Sequence, residues 1–243
     1  IIGGGILKVK ASGDGLDCEK GFIDIRGGLI KADISGDASK AVKAETDITL
    51  SGGQLILLTS GSAVYEDNDL SSAAGIKCDG NLVNGTTLLV KSTGAAGKCI
   101  NCDGTLSIDN STVKIITTGK QYVYNRLDSS AKGIKADGNL TINSGTIWVK
   151  TPGGEGSEGI ESKSTLTVNG GDVSVYSYDD CMNASKSIVI NGGNIYCYSS
   201  GNDGVDSNGT LTITGGTIVS IGTTSPEEGF DCDQNTFKIT GGT

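Results

Sequence analysis

The 243-residue chain carries 39 glycines and only 2 prolines, and its formal net charge is −9. This acidic balance argues against binding to nucleic acid, which needs concentrated lysine and arginine. No apolar run approaches the roughly 18 residues of a membrane span. The chain has no histidine, which argues against a zinc site and against histidine-dependent catalysis.

A sequence repeat extends along nearly the whole chain, and its clearest copy is KGIKADGNLTINSGTIWVKTPG at 132–153. The copies align on one position, here called the anchor, which follows an apolar residue. The nine anchors are Asp17, Lys43, Lys77, Asn101, Lys135, Glu161, Asn183, Asp206 and Asp231. Turn-forming pairs such as Gly170-Gly171 keep step with the anchors. Two registers in step indicate a true repeat. Successive anchors are 22 to 34 residues apart, a period that is typical of solenoids and propellers.

Each copy contains three short runs in which apolar and polar residues alternate, as around Ile134, Leu140 and Ile147. Such alternation is typical of strands, and no copy has a helical pattern. Three strands per copy predict an all-β, right-handed, single-stranded parallel β-helix of about nine to ten rungs. A propeller blade would need four longer strands. We expect a single domain over 1–243 that continues beyond both ends of this sequence.

Seven cysteines occupy repeated positions along the chain. Most follow or precede an anchor, where other copies carry a small residue, and one lies in the third run. They are Cys18, Cys78, Cys99, Cys102, Cys181, Cys197 and Cys232. Small inward positions predict buried free thiols in preference to disulfides or metal ligands.

Two links between copies are about ten residues longer than the others, at 62–72 and 120–130. Both enter the next copy at the same point, so both should protrude from one edge, two rungs apart. Insertions that map to one face of a solenoid often carry function, although they also cap corners. The residues brought together would be Tyr65, Asp67, Asp69, Tyr122, Tyr124, Arg126 and Asp128.

Charges divide the predicted rod into two halves. In the first half, lysines stand at the anchors or three residues before them, as at Lys40, Lys98 and Lys132, and acids follow the anchors. We interpret this half as a solvated charge ladder.

In the second half, acids and an asparagine replace the lysines. They are Glu158, Glu161, Asp180, Asn183, Asp203, Asp206, Glu228, Asp231 and Asp233. Acids stacked at a rung spacing of about 4.8 Å repel one another. An ion with ligands at roughly 2.3–2.6 Å could bridge two rungs, and oxygen ligands without histidine favour Ca²⁺. The alternative is an acidic face that is solvated or partly protonated.

Aromatic side chains stand at outward positions of the third run in three consecutive copies. Because Ile147 and Val149 are predicted to point inward, Trp148 points outward, and later copies carry Tyr176, Tyr196 and Tyr198. Exposed rings are unusual in a chain with only 5% aromatic residues. The strip suits the C–H faces of an extended polysaccharide, and the alternative is a surface covered by another segment or subunit.

The repeated GIKADGNLTINSGT units, with EGIES, DDCMNAS, GNDGVDSNGTLTITGGT and PEEGFDCD after them, resemble a bacterial family. It is the carbohydrate-binding β-helix family of clostridia and Bacteroides relatives. The resemblance implies secreted or cell-surface proteins with a fold similar to that of polysaccharide lyases. It also implies binding of calcium and of plant cell-wall polysaccharide, either cellulose or acidic, pectin-type chains, and it supports the acidic positions named above.

The favoured hypothesis is therefore non-catalytic polysaccharide binding by a calcium-stabilised β-helix. The alternative is a calcium-dependent, pectate-type lyase with Lys135 or Lys163 as the base. Hydrolysis could use Asp179 with Asp180, or Asp203 with Asp206. A purely structural surface rod is a further alternative, in which the aromatic face would be an assembly interface.

Overall fold

The computed structural model describes residues 1–243 and contains 31 strands and no helix. The chain coils through three parallel sheets of nine strands each, and two short antiparallel hairpins project from the coil. Each turn contributes one strand to each sheet. The predicted parallel β-helix is confirmed, with nine turns.

Sheet I holds the third run of each copy. Its strands are β1 (Ile6–Ala11), β4 (Leu29–Ile34), β7 (Gln54–Thr59), β12 (Thr87–Ser92), β15 (Ser111–Thr117), β20 (Gly145–Thr151), β23 (Asp172–Ser177), β26 (Asn194–Ser199) and β29 (Thr217–Ile221).

Sheet II holds the anchors and the residues before them. Its strands are β2 (Leu16–Cys18), β5 (Lys40–Ala44), β10 (Ala74–Cys78), β13 (Lys98–Cys102), β18 (Lys132–Ala136), β21 (Ile160–Ser162), β24 (Met182–Ala184), β27 (Val205–Ser207) and β30 (Phe230–Asp231).

Sheet III holds the second run. Its strands are β3 (Ile23–Ile25), β6 (Ile48–Leu50), β11 (Leu82–Asn84), β14 (Leu106–Ile108), β19 (Leu140–Ile142), β22 (Thr165–Val168), β25 (Ser187–Ile190), β28 (Thr210–Ile213) and β31 (Phe237–Ile239). The two hairpins are β8 (Val64–Glu66) with β9 (Asp69–Ser71), and β16 (Tyr122–Tyr124) with β17 (Leu127–Ser129).

The anchors stack in register, as the repeat predicts. Lys135 lies opposite Asn101 on one side and opposite Glu161 on the other. Residues before and after the anchors point inward and join one core of 45 buried residues. Six of the seven cysteines are buried and Cys18 is half-buried, and all seven are free, so the predicted buried thiols are confirmed apart from that partial exposure.

Tight stacking of successive turns requires glycine at two kinds of position. Gly171 has a φ of +96°, which the predicted turn chemistry anticipates, because glycine adopts positive φ at low cost. At Gly94 the backbone of the preceding turn approaches so closely that a Cβ would lie 1.8 Å from the carbonyl oxygen of Gly61. The structure contains no helix that could cross a bilayer.

Candidate functional site

The four predicted aromatic residues lie together on the outer face of sheet I, and they are called the aromatic strip from here on. The ring centroids of Trp148 and Tyr176 are 6.0 Å apart, and those of Tyr176 and Tyr196 are 5.6 Å apart. Strand pairing places Tyr198 beside Tyr176 in the next turn, where it is 42% exposed. The rings are tilted by 46° and 43° and form a zigzag that crosses three turns.

Apolar side chains continue this face in both directions. Val219 and Ile221 on β29 are exposed beside Tyr196 and Tyr198. On the other side, Ile56, Leu89 and Ile116 line a shallow hollow of about 180 Å³. The apolar face thus runs from β7 to β29, a distance of about 29 Å at roughly 4.8 Å per strand. Most of these side chains are half-buried, whereas Tyr198, Val219 and Ile221 are exposed. A contiguous apolar surface of this length that remains partly accessible is typical of a binding face.

A positive charge marks one end of the strip. Lys114 occupies the position beside Trp148 in the preceding turn, and its Nζ lies 5.2 Å from the centroid of the indole ring. A cation at this distance is attracted by the face of the ring. It therefore helps to hold the indole in place at the edge of the strip.

The acidic edge predicted for calcium is divided into three parts. In its first part, Lys132 forms ion pairs with Glu158 and Glu161, and Lys163 pairs with Glu161. Burial raises the pKa of Glu158 to about 7, whereas Lys132 and Lys163 overcome burial and lower the pKa of Glu161. Lysines therefore neutralise this turn, because the last lysine-bearing turn of the first half lies directly beside it.

Asp180, Asn183 and Asp206 form the second part. The amide nitrogen of Asn183 donates to Asp180 Oδ2 at 2.9 Å and to Asp206 Oδ2 at 2.7 Å. In this arrangement Asn183 presents its nitrogen to the two acids, whereas the sequence predicts an oxygen ligand. Burial raises the pKa of Asp180 to about 8. Burial and the neighbouring Asp231 raise the pKa of Asp206 to about 6.

The third part brings Asp203, Glu228 and Asp231 together. One carboxylate oxygen from each of the three lies within 4.8 Å of the others, so this cluster could hold a metal ion. Asp203 is buried, and its pKa is raised by burial and by the carboxylates around it. Asp233 lies at the rim, where its backbone N–H donates to Asp231 Oδ1 at 3.0 Å. Carboxylate oxygens at such separations fit a hard divalent cation.

The groups proposed for catalysis are already engaged. Lys135 pairs with Asp137, and Lys163 pairs with Glu161. Asp179 accepts hydrogen bonds from the backbone N–H of Gly156 and from the side chain of Asn202. Both lysines and Asp179 thus have partners within the protein.

The two long links protrude from one edge and lie near each other, as the sequence predicts, and each folds into a hairpin. The rings of Tyr65 and Tyr124 are 4.9 Å apart, and the hydroxyls of Ser72 and Ser129 are 3.3 Å apart. The hairpins rise beside the lysine column of sheet II. The expected solvated charge ladder is therefore wrong for Lys98, which is 8% exposed beneath them.

Together, the fold and these sites define a parallel β-solenoid with a partly exposed aromatic strip on one sheet and an acidic edge at one end of another. A family model described as "Carbohydrate-binding domain-containing protein" matches residues 1–121 and 124–204. The match covers most of the chain, and the protein belongs to this carbohydrate-binding domain family. No curated relative and no solved structure matches the chain.

Proposed function

We propose that the protein binds an extended plant cell-wall polysaccharide along the aromatic strip, without cleaving it. The observation that carries this proposal is the alignment of Trp148, Tyr176 and Tyr196 across three turns in a member of a carbohydrate-binding family. Flat rings pack against the C–H faces of sugars, and a linear arrangement suits a linear chain such as cellulose. Insoluble wall material stays outside cells, so this role implies a secreted or surface-bound protein.

Calcium is the ion that best suits the acidic edge. The ligands offered by Asp203, Glu228 and Asp231 are all carboxylate oxygens, which favours a hard cation over a transition metal. An ion there would neutralise acids on two adjacent turns, β27 and the segment around β30, and so stabilise the solenoid. It could also bridge to the carboxylates of an acidic, pectin-type chain.

Retention on insoluble cellulose tests the main proposal. The double variant Tyr176→Ala, Tyr196→Ala removes the centre of the strip. We expect affinity to fall by about tenfold or more, because truncation of a central aromatic residue in a binding face costs about 2 kcal/mol or more. Tyr122→Ala, on a hairpin away from sheet I, is the matched control and should be retained like the wild type. Equal retention of all three proteins would refute the role of the strip.

A further inference from the structure

A groove lies on sheet II, under the two hairpins and away from the aromatic strip. It has a volume of about 560 Å³, and its lining is almost entirely polar. Six lysines line it, from five successive turns: Lys40, Lys77, Lys98, Lys132, Lys135 and Lys163. Five acids also line the groove, namely Asp69, Asp103, Asp128, Asp137 and Glu161. The lysines exceed the acids by one, so the charge of the groove depends on which lysines the acids neutralise.

Two of these lysines have no acidic partner. Lys77, Lys132, Lys135 and Lys163 each form at least one ion pair. The Nζ of Lys98 instead donates to Ser72 Oγ at 2.7 Å and to Ser129 Oγ at 3.0 Å, and the Nζ of Lys40 donates to Ser71 Oγ at 3.1 Å. Lys40 and Lys98 lie in one column, separated only by the small Ala74.

Two separate segments of the chain enclose the Lys98 side chain and form hydrogen bonds with it. The side chain is nine-tenths buried, and its ammonium donates to Ser129 in one hairpin and to Ser72, the residue directly after the other. The hydroxyls of these two serines are 3.3 Å apart. An ammonium has three N–H donors, so one donor of Lys98 stays without a protein acceptor. A buried charge without a counter-ion is costly, and an incoming anion would remove that cost.

The same groove offers a buried acceptor that lacks a donor. Asn101, one turn from both Lys77 and Lys135, has a side-chain oxygen that is buried and receives no hydrogen bond. An inorganic oxyanion carries little to donate to it, whereas a sugar hydroxyl is a donor. A ligand that satisfies both Lys98 and Asn101 therefore carries acid oxygens and hydroxyl groups on one molecule.

We propose that this groove is a second binding site, for an acidic saccharide, in which a carboxylate contacts Lys98 and Lys40 and a hydroxyl donates to Asn101. The site uses lysines and not calcium, and it lies on a different sheet from the aromatic strip. Its location and contacts are therefore separate from those of the proposed function, which includes an acidic chain only through calcium. The hairpins, which the regular solenoid does not need, serve to desolvate and orient Lys98.

Calorimetric titration with a trimer of galacturonic acid tests this site, at low salt and with EDTA present to remove any calcium bridge. We expect the wild type to bind the trimer. Lys98→Gln keeps a donor for the serines but removes the charge, and it should weaken binding about tenfold or more, as expected for a lost charged hydrogen bond. Lys40→Gln, nearer the rim, should also weaken binding, and Lys8→Gln on the exposed part of β1 is the matched control.

Three results would overturn the proposal. They are absence of trimer binding by the wild type, unchanged affinity in both Lys98→Gln and Lys40→Gln, and inorganic sulfate that binds as tightly as the trimer. The variant that lacks Tyr176 and Tyr196 should still bind the trimer. Loss of cellulose retention in that variant and loss of trimer binding in Lys98→Gln therefore report on the two sites separately.

Discussion

Replacing Lys98 by methionine should stabilise the protein at neutral pH. Burial, and to a lesser extent Lys135 and Lys132, lowers the pKa of Lys98 from 10.5 to about 8, while Glu161 and Asp137 oppose the shift. Each pKa unit corresponds to about 1.4 kcal/mol, so the folded protein disfavours the ammonium form by about 3 kcal/mol. Methionine has a similar length and no charge. The serine hydroxyls that Lys98 contacts lie 3.3 Å apart and can bond to each other, so we expect a gain of about 2 kcal/mol.

The pH dependence of this gain identifies its cause. Below about pH 8 the lysine is charged in both states, and the folded protein bears the full cost. Between about pH 8 and about pH 10.5 the folded state releases the proton while the unfolded state keeps it, so the wild type becomes more stable as pH rises. The difference between Lys98→Met and wild type should therefore shrink across this range.

Urea denaturation of the two proteins at pH 7 and at about pH 10 measures this difference, since the free energy of unfolding follows from the transition. Lys8→Met, at an exposed position, should change stability by less than about 0.5 kcal/mol. A Lys98→Met variant that is less stable than wild type at pH 7, or equally more stable at both pH values, would refute the account. A stabilised variant that has lost trimer binding would indicate that Lys98 is retained for function.

Three further predictions concern the stacking of the turns and the acidic edge. Gly94→Ala should lower the free energy of unfolding by about 1–3 kcal/mol through overpacking. The control Gly13→Ala should be nearly neutral, because no atom lies within 4 Å of the added methyl group. Equal urea midpoints for the two variants would contradict the close stacking of the turns at Gly94. Calcium added to EDTA-treated protein should raise stability by up to about 3 kcal/mol near saturation, which is measured as a rise in Tm. Asp231→Asn should abolish this rise, whereas the control Asp33→Asn should leave it unchanged. A rise that persists in Asp231→Asn would exclude the proposed ligand set. Without calcium, stability should fall as pH rises from about 4 to about 8. Burial raises the pKa of Asp180 to about 8, and burial and nearby acids raise the pKa of Asp206 to about 6, so the folded state holds these protons more tightly than the unfolded state does. A flat pH profile of Tm in EDTA would contradict this.

The repeat determined most of what could be predicted. Alternating residues around Ile134, Leu140 and Ile147 assign one strand to each of three sheets, and the anchor register correctly stacks Asn101, Lys135 and Glu161. Outward positions of the third run place the aromatic strip on the surface of sheet I. These features follow from local periodicity and from contacts between equivalent positions, which a repeated sequence displays directly.

Features that depend on how insertions fold could not be predicted in the same way. The sequence shows that 62–72 and 120–130 share an edge, but not that the resulting hairpins close over Lys98. Nor does the alignment of lysines against acids reveal that Lys132 reaches the next turn to pair with Glu158 and Glu161. The partner of a long flexible side chain depends on the three-dimensional arrangement around it, whereas the alignment of the repeats gives only the position of its backbone.

The most direct test of polysaccharide binding by the strip uses the fluorescence of Trp148, the only tryptophan in the chain. Because that indole lies within the strip, stacking of a sugar ring against it should change its emission without any label. We predict a saturable change in intensity and wavelength on titration with a soluble cello-oligosaccharide, and a much smaller response in the variant that lacks Tyr176 and Tyr196. An unchanged spectrum at oligosaccharide concentrations that release the protein from cellulose would contradict the account.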